Sequence, residues 1–323
     1  MRLKTNIFFL IVLLGFAQYL NAQVNQEKVD AFARNYAYKN KIPLTEIETI
    51  LAKAEFQQSI IEKMQKPAEK TMTWARYRNI FMTDERISRG VEFWNEHEAV
   101  LNDISQKTGV PAEIILGILG VETFFGERKG TYKVLDALYT LAFGYPKRSK
   151  FFTSELEKFI QLSREENLNI DEVKGSYAGA IGYCQFMPSS YLAYAKSYDE
   201  GGNKDLVNSP EDAIASVANY LKVHRWKNGE PIAARTYKDN SSTALPKQSL
   251  KPKQTIEFYE KNGFKSKDKI STDALVTLLT MTLEEGEEYW FGFNNFYVIT
   301  RYNHSSLYAL AVYQLAEAIK ARK

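Results

Sequence analysis

A single cysteine, Cys184, stands in 323 residues, so no intrachain disulfide can form. Only three histidines occur, His97, His224 and His304, too far apart for metal-ligand spacing. Neither charge dominates: 42 Lys and Arg face 39 Asp and Glu, a net +3. That excludes the strongly basic face expected of a nucleic-acid binder. With 17 glycines and 9 prolines the chain is no low-complexity linker, and it shows neither internal repeats nor a clear linker. Hydrophobic residues at 45% and charged residues at 25% are the ordinary globular balance, which excludes a disordered tail or a polytopic membrane protein.

What is abundant is aromatic. Twenty tyrosines and 19 phenylalanines can fill a core or line a groove for sugar-like ligands. At the N-terminus, Arg2 and Lys4 precede an apolar run from Ile7 to Leu20, then Asn21-Ala22 and a polar stretch. This reads as a secretory signal over 1–22, cleaved after Ala22. The run is short for a spanning helix, although an uncleaved anchor is the alternative. No cysteine follows it, which argues against a lipoprotein. Removal of the leader would leave the mature chain at about +1, since it carries two cations and no acid.

Residues 26–126 read as helical. Thr45 and Glu48 form a capping-box pattern after Pro43. Ile87, Val91, Trp94, Leu101 and Ile104 predict one helix over 84–107, stopped by Gly109. Pro111 suits the first turn of the next helix, over 112–125 and closed by Gly126. Residues 127–150 read as loop and short helix. Helices are expected over 151–166, 212–223 and 305–320, and strands at 275–283 and 289–300. Residues 174–190 hold three glycines and small residues among aromatics, which suits close backbone approach. The class is mainly α with a small β portion.

Glu122 is the most informative residue. Ile115, Ile118 and Leu119 share its helical face, so a carboxylate sits on an apolar stripe near a helix C-terminus. Burial and the negative end of the helix dipole both disfavour its ionised form. An acid that keeps its proton near neutral pH can protonate a leaving oxygen. The alternative is a structural glutamate satisfied by a hydrogen bond or an ion pair, for example to Arg148. Glycoside cleavage usually takes two carboxylates. Glu127 points elsewhere beyond Gly126, and Asp136 reads as a helix cap or anchor, so no second acid stands out.

Several blocks then carry a resemblance. Gly120-Val121-Glu122-Thr123, Leu135-Asp136-Ala137-Leu138 and Tyr145-Pro146-Lys147-Arg148 come first in the chain. Gly175-Ser176-Tyr177-Ala178-Gly179-Ala180, Gln185-Phe186-Met187-Pro188-Ser189-Ser190, Val217-Ala218-Asn219-Tyr220 and the run Asn295–Ser305 follow. In this order they resemble the B-type lytic murein transglycosylases over nearly the whole mature chain. The resemblance implies a lysozyme-like core over 111–228, a helical part over 23–110, a small mixed β part over 229–300 and a final helix over 305–321. It implies cleavage of the MurNAc-β-1,4-GlcNAc bond of peptidoglycan without water, the muramoyl C6 hydroxyl closing onto C1. One carboxyl group then serves as acid and later as base, which would explain the missing partner.

Carried over by position, Glu122 matches the acid/base and Ser176 a serine assisting beside the reacting sugar. Gln185, Tyr220, Tyr302 and Asn303 match cleft residues, Tyr308 fits the same wall, Tyr77 matches an aromatic wall residue, and Arg148 a basic contact to peptide or glycan. The resemblance implies glycan strands as partner, with cell-wall synthesis or division proteins as further candidates, a monomer, and a periplasmic location. Three departures matter. The acidic loop of relatives is shortened to Asp199-Glu200-Gly201-Gly202-Asn203-Lys204-Asp205, with Lys204 where a cation would be repelled, so no cofactor and no tight calcium site are expected. Lys147 stands where a second arginine is usual and loses the bidentate fork. Cys184 replaces a small residue and is assigned no chemistry. A hydrolytic muramidase and a non-catalytic glycan-binding scaffold remain the competing functions.

Overall fold

The computed structural model describes residues 24–65, 72–199, 201–243, 245–246 and 248–323. The leader over 1–22 lies outside the described residues. Six helices build the N-terminal part: α1 (Gln26–Asn40), α2 (Leu44–Leu51), α3 (Gln58–Gln65), α4 (Trp74–Phe81), α5 (Asp84–Glu96) and α6 (Glu98–Thr108). Then come α7 (Ala112–Thr123), α8 (Val134–Gly144), a 3-10 turn at Pro146–Arg148, α9 (Ser149–Glu165), α10 (Pro188–Tyr194) and α11 (Pro210–Val223). A short ribbon, β1 (Tyr132–Lys133) against β2 (Lys174–Gly175), lies between them. The remainder is β3 (Ala233–Lys238), β4 (Gln254–Thr255), α12 (Ile256–Lys261), β5 (Phe264–Ser266), β6 (Leu275–Thr282), β7 (Glu287–Gly292), α13 (Asn294–Tyr302) and α14 (Ser306–Arg322).

Side-chain caps mark where several helices start. Thr73, Thr83, Ser209 and Ser305 each accept the backbone N–H three residues on, satisfying a donor that the helix itself leaves unpaired. The Thr45–Glu48 box does not form. Pro43 is the N-cap of α2, which places Thr45 inside the first turn, and Thr45 instead receives the Thr49 hydroxyl on its carbonyl. The helix expected over 84–107 is two helices. His97, at φ −119° and ψ 25°, breaks it, so a continuous apolar spacing concealed a corner. Gly109 does stop α6, at φ 73°. Pro111 is the N-cap of α7 and not its first turn. Residues 127–150, expected as loop and short helix, hold the three-turn α8. Residues 294–300, expected as strand, are helical: the strand β7 ends at Gly292.

One main core runs from α1 to α14. Its centre is the pair α7 and α14. Gly117 lets their backbones close up, since a Cβ there would lie 2.6 Å from the Val312 carbonyl oxygen. The sheet is antiparallel throughout, in the order β4-β6-β7-β3-β5. Alternation along β6 sends Val276 and Leu278 to a small second core with Tyr259 and Phe291, and Leu279 and Met281 to the main core.

Candidate active site

Glu122 sits one residue before the end of α7, half-buried, on the stripe of Ile115, Ile118 and Leu119, all of which are fully buried. The helix does not run to Gly126. It stops at Thr123, and Phe124 takes the left-handed conformation at φ 53°. The Tyr308 hydroxyl donates to Glu122 Oε1 at 2.6 Å. The structural partner weighed in the sequence, Arg148, is elsewhere: exposed on the 3-10 turn, its guanidinium over Phe151 at 4.2 Å.

The corner between α13 and α14 builds the other side. Asn303 is extended, at φ −136° and ψ 123°, and Ser305 caps α14 by accepting the Tyr308 N–H. Tyr302 and Tyr308 therefore lie near-parallel across the corner, with ring centroids 6.4 Å apart and planes 13° apart. Tyr302 donates to the Cys184 carbonyl at 2.6 Å, and the Thr123 hydroxyl donates to the Tyr183 carbonyl at 3.0 Å. The 181–186 loop is thus tied both to the end of α7 and to the end of α13. Burial pushes the Tyr308, Tyr302 and Cys184 groups up, and the Glu122 charge adds to each. Near neutral pH all three are protonated, and both phenols serve as donors.

Ser176 closes its own turn: its hydroxyl oxygen accepts the N–H of Ala178 at 3.3 Å and of Ala180 at 3.1 Å. A hydroxyl has two acceptor sites and one donor, so its proton is what remains for a ligand. Gln185, at φ 49°, spends its amide N–H groups on the carbonyls of Lys129 (3.1 Å) and Gly182 (2.9 Å), leaving its carbonyl oxygen to accept. Tyr220 is a buttress. It is buried, donates to the Arg301 carbonyl at 2.5 Å, and packs on Tyr302 at 4.8 Å and His224 at 4.1 Å. Tyr77 is buried too, against Phe81, and near enough to Tyr308 to add slightly to what disfavours that residue's ionised form. Neither presents an open aromatic wall. A groove of about 1040 Å³ lies between Leu278, Thr280 and Tyr289 of the sheet and Ser305–Leu307, so it reaches the corner that carries Asn303.

The other acids are engaged. Glu127 is exposed and pairs with Arg89 at 3.2 Å. Asp136 is buried and accepts the Glu55 N–H at 2.9 Å, which anchors the α2–α3 connection. Sequence reasoning missed two features beside Glu122: the left-handed hook after Thr123 and a buried arginine, Arg86, on the Gly120 carbonyl. Its available signal was an arginine heading the stripe Arg86, Gly90, Phe93 on one face of α5.

The transglycosylase SLT domain family matches residues 24–317. The chain belongs to that family. It is 39% identical over 304 residues to membrane-bound lytic murein transglycosylase B of Escherichia coli, covering 91% of this chain and 83% of that one. A solved lytic transglycosylase of Escherichia coli in complex with calcium superposes with a TM-score of 0.84 at 39% identity, over 91% of this chain and 93% of that one. A Pseudomonas aeruginosa structure in complex with NAG-anhNAM-pentapeptide superposes with a TM-score of 0.79 at 26% identity, over 92% and 80%. The present chain is therefore an enzyme, a lytic transglycosylase on a lysozyme-like, mainly helical fold.

In this transglycosylase two acids in or beside the 199–205 loop hold backbone N–H groups. Asp205 accepts the N–H groups of Val207 and Asn208, and Asp212 those of Tyr198 and Asp205. The Lys204 ammonium lies 2.5 Å from the buried Glu166 carboxylate. The Asp205 and Asp212 oxygens are thus already turned to N–H donors, and no group of three or more His, Cys, Asp or Glu among the described residues could hold a metal. Among the described residues no helix is long and apolar enough to cross a membrane.

Proposed function

We propose that this enzyme is exported and cleaves the MurNAc-β-1,4-GlcNAc bond of peptidoglycan without water, leaving 1,6-anhydromuramoyl ends. Glu122 gives its proton to the departing GlcNAc oxygen as the bond to muramoyl C1 breaks. The C6 hydroxyl of the same muramoyl unit then bonds to C1, and its proton returns to Glu122. The cycle closes with one carboxyl group and no cofactor. The observation that carries this reading is the Glu122 environment: one half-buried carboxyl group that accepts the Tyr308 hydroxyl, with Tyr302 and Cys184 nearby kept protonated by burial, and with the two neighbouring acids of the sequence committed elsewhere. A hydrolase usually takes a second carboxylate, to activate water or to form a glycosyl intermediate.

The remaining candidates fit as substrate contacts. The Ser176 proton and the Gln185 carbonyl oxygen suit the carbonyl and N–H of an N-acetyl group. Arg148, with exposed Lys147 and Lys150, suits carboxylates of a stem peptide. The basic and apolar leader supports export. The names of the Escherichia coli relative and of the anhydro-sugar complex support substrate and product. The test is mass spectrometry of purified sacculi digested with the parent and with Glu122→Gln. Anhydro ends from the parent and none from the variant are expected. Reducing ends alone would make the enzyme a muramidase, and equal clearing by the variant would leave a scaffold that binds glycan without this acid.

A further inference from the structure

The backbone after Glu122 is strained. Phe124, Phe125 and Gly126 follow one another at φ 53°, 56° and 92°. For two bulky residues this conformation costs of order 1–3 kcal/mol each and persists only where the surroundings impose it. Phe125 is imposed by packing: its ring seats on Gly120 and Gly90, where a Cβ would meet it at 2.7 and 2.9 Å, and lies 5.5 Å from Phe93. Phe124 has a different restraint. Its ring lies under two guanidinium groups, Arg86 and Arg128, each 4.7 Å from the centroid.

Of these two, Arg86 is inside the protein, 6% exposed. Burial, and then the neighbouring Arg128 charge, pushes its pKa down to about 10, so it is still a cation at neutral pH. Its Nη1 donates to the Gly120 carbonyl at 2.6 Å, on the last turn of α7 and two residues before Glu122. That carbonyl also receives the Phe124 N–H at 3.2 Å, so one oxygen joins the cation to the strained residue. A buried charge is expensive unless its environment compensates it. Here the compensation is the negative end of α7 and the faces of Phe81 and Phe124.

We infer that Arg86 is a positioning residue for catalysis: it clamps the last turn of α7 and the Phe124 hook, and so fixes where Glu122 points. The inference rests on Glu122 being the acid of the proposed reaction. Its effect belongs in the chemical step and not in glycan binding, because Arg86 is buried behind the helix and holds only backbone and ring.

The experiment compares kcat and KM on soluble GlcNAc–MurNAc oligomers for Arg86→Met, Arg86→Lys and Glu122→Gln, each checked for folding by circular dichroism. Arg86→Met removes the charge and the donor. It should lower kcat at least about tenfold with KM within about twofold, the pattern of lost transition-state alignment. Arg86→Lys keeps the charge and one donor but loses the planar stack, and kcat should fall between, about two- to fivefold below the parent with KM unchanged. Parent-like kcat in Arg86→Met, or a change confined to KM, overturns the inference. Should Arg86→Met fail to fold, Arg86→Lys decides: a kcat equal to the parent's overturns it, and an intermediate kcat with unchanged KM supports it. A dead Glu122→Gln beside parent-like Arg86 variants rejects only the role of Arg86. An active Glu122→Gln rejects the proposed acid itself.

Discussion

Tyr308→Phe isolates one hydrogen bond of the active site. The hydroxyl donates to Glu122 Oε1 at 2.6 Å from a side chain that is 2% exposed, and the ring itself is retained in the variant. Burial, with the Glu122 charge second, holds this phenol well above its ordinary range, so it is a donor at every working pH. A donor stabilises the carboxylate over the carboxylic acid. A hydrogen bond to a charged group is worth about 1.5–3 kcal/mol, and one pH unit is about 1.4 kcal/mol. Removing the hydroxyl should therefore raise the pH at which Glu122 loses its proton by about one to two units. In the acid role Glu122 must be protonated, so the alkaline limb of kcat/KM should move up by that amount. At the optimum kcat should fall about tenfold or more, because the carboxyl group loses the contact that orients it and, holding its proton more tightly, becomes a poorer donor to the departing oxygen. The assay is release of soluble fragments from sacculi across pH 4 to 10 (about 1.4 kcal/mol per unit resolved). An alkaline limb that stays put, or moves down, would refute the reasoning. Glu122→Gln keeps an acceptor for Tyr308, so it should fold normally while losing activity, and it separates chemistry from stability.

Three further outcomes are expected. Gly117→Ala should destabilise by about 2 kcal/mol or more in chemical denaturation, because its Cβ would meet the Val312 backbone oxygen at 2.6 Å and the Ala316 Cβ at 3.1 Å, and backbone yields little. Burial raises the Asp136 pKa, so its charge disfavours the folded state at neutral pH and this penalty disappears as acid protonates it. Asp136→Asn keeps the acceptor for the Glu55 N–H and should melt at or above the parent temperature at pH 7, with the advantage shrinking toward pH 4, whereas Asp136→Ala should melt lower at both. Ser176→Ala leaves two backbone N–H groups without their acceptor, and should cost about 1 kcal/mol of stability along with a drop in kcat.

Much of the fold was legible because helices announce themselves locally. Glycine at 109 and the apolar faces of α9 and α11 act within a turn or two of chain. Three of the errors share one cause. His97 turns the chain between α5 and α6 without a glycine or proline, and Phe124 ends α7 in a conformation that sequence assigns to Gly126. In both cases distant packing overrode local preference. The same holds for residues 294–300, whose β-branched and aromatic content suits a strand but whose Phe296, Val298 and Ile299 are buried as one helix against the main core.

At the site, spacing alone placed Glu122 on the apolar face of its helix, and the family resemblance named Tyr302 and Tyr308, which lie beside it. Sequence could do this because a face is set by a period of 3.6 residues. It could not say what Glu122 touches. The Tyr308 hydroxyl lies 186 residues away and the Arg86 guanidinium belongs to α5, and both reach the end of α7 only because glycines at 90, 117 and 120 let three helices close on one another. That this helix carries a carboxyl group on its apolar face is a local property of the chain. The orientation of that group, and the change of Tyr77 and Tyr220 from expected wall to buried support, are decided by contacts between segments that no local pattern records.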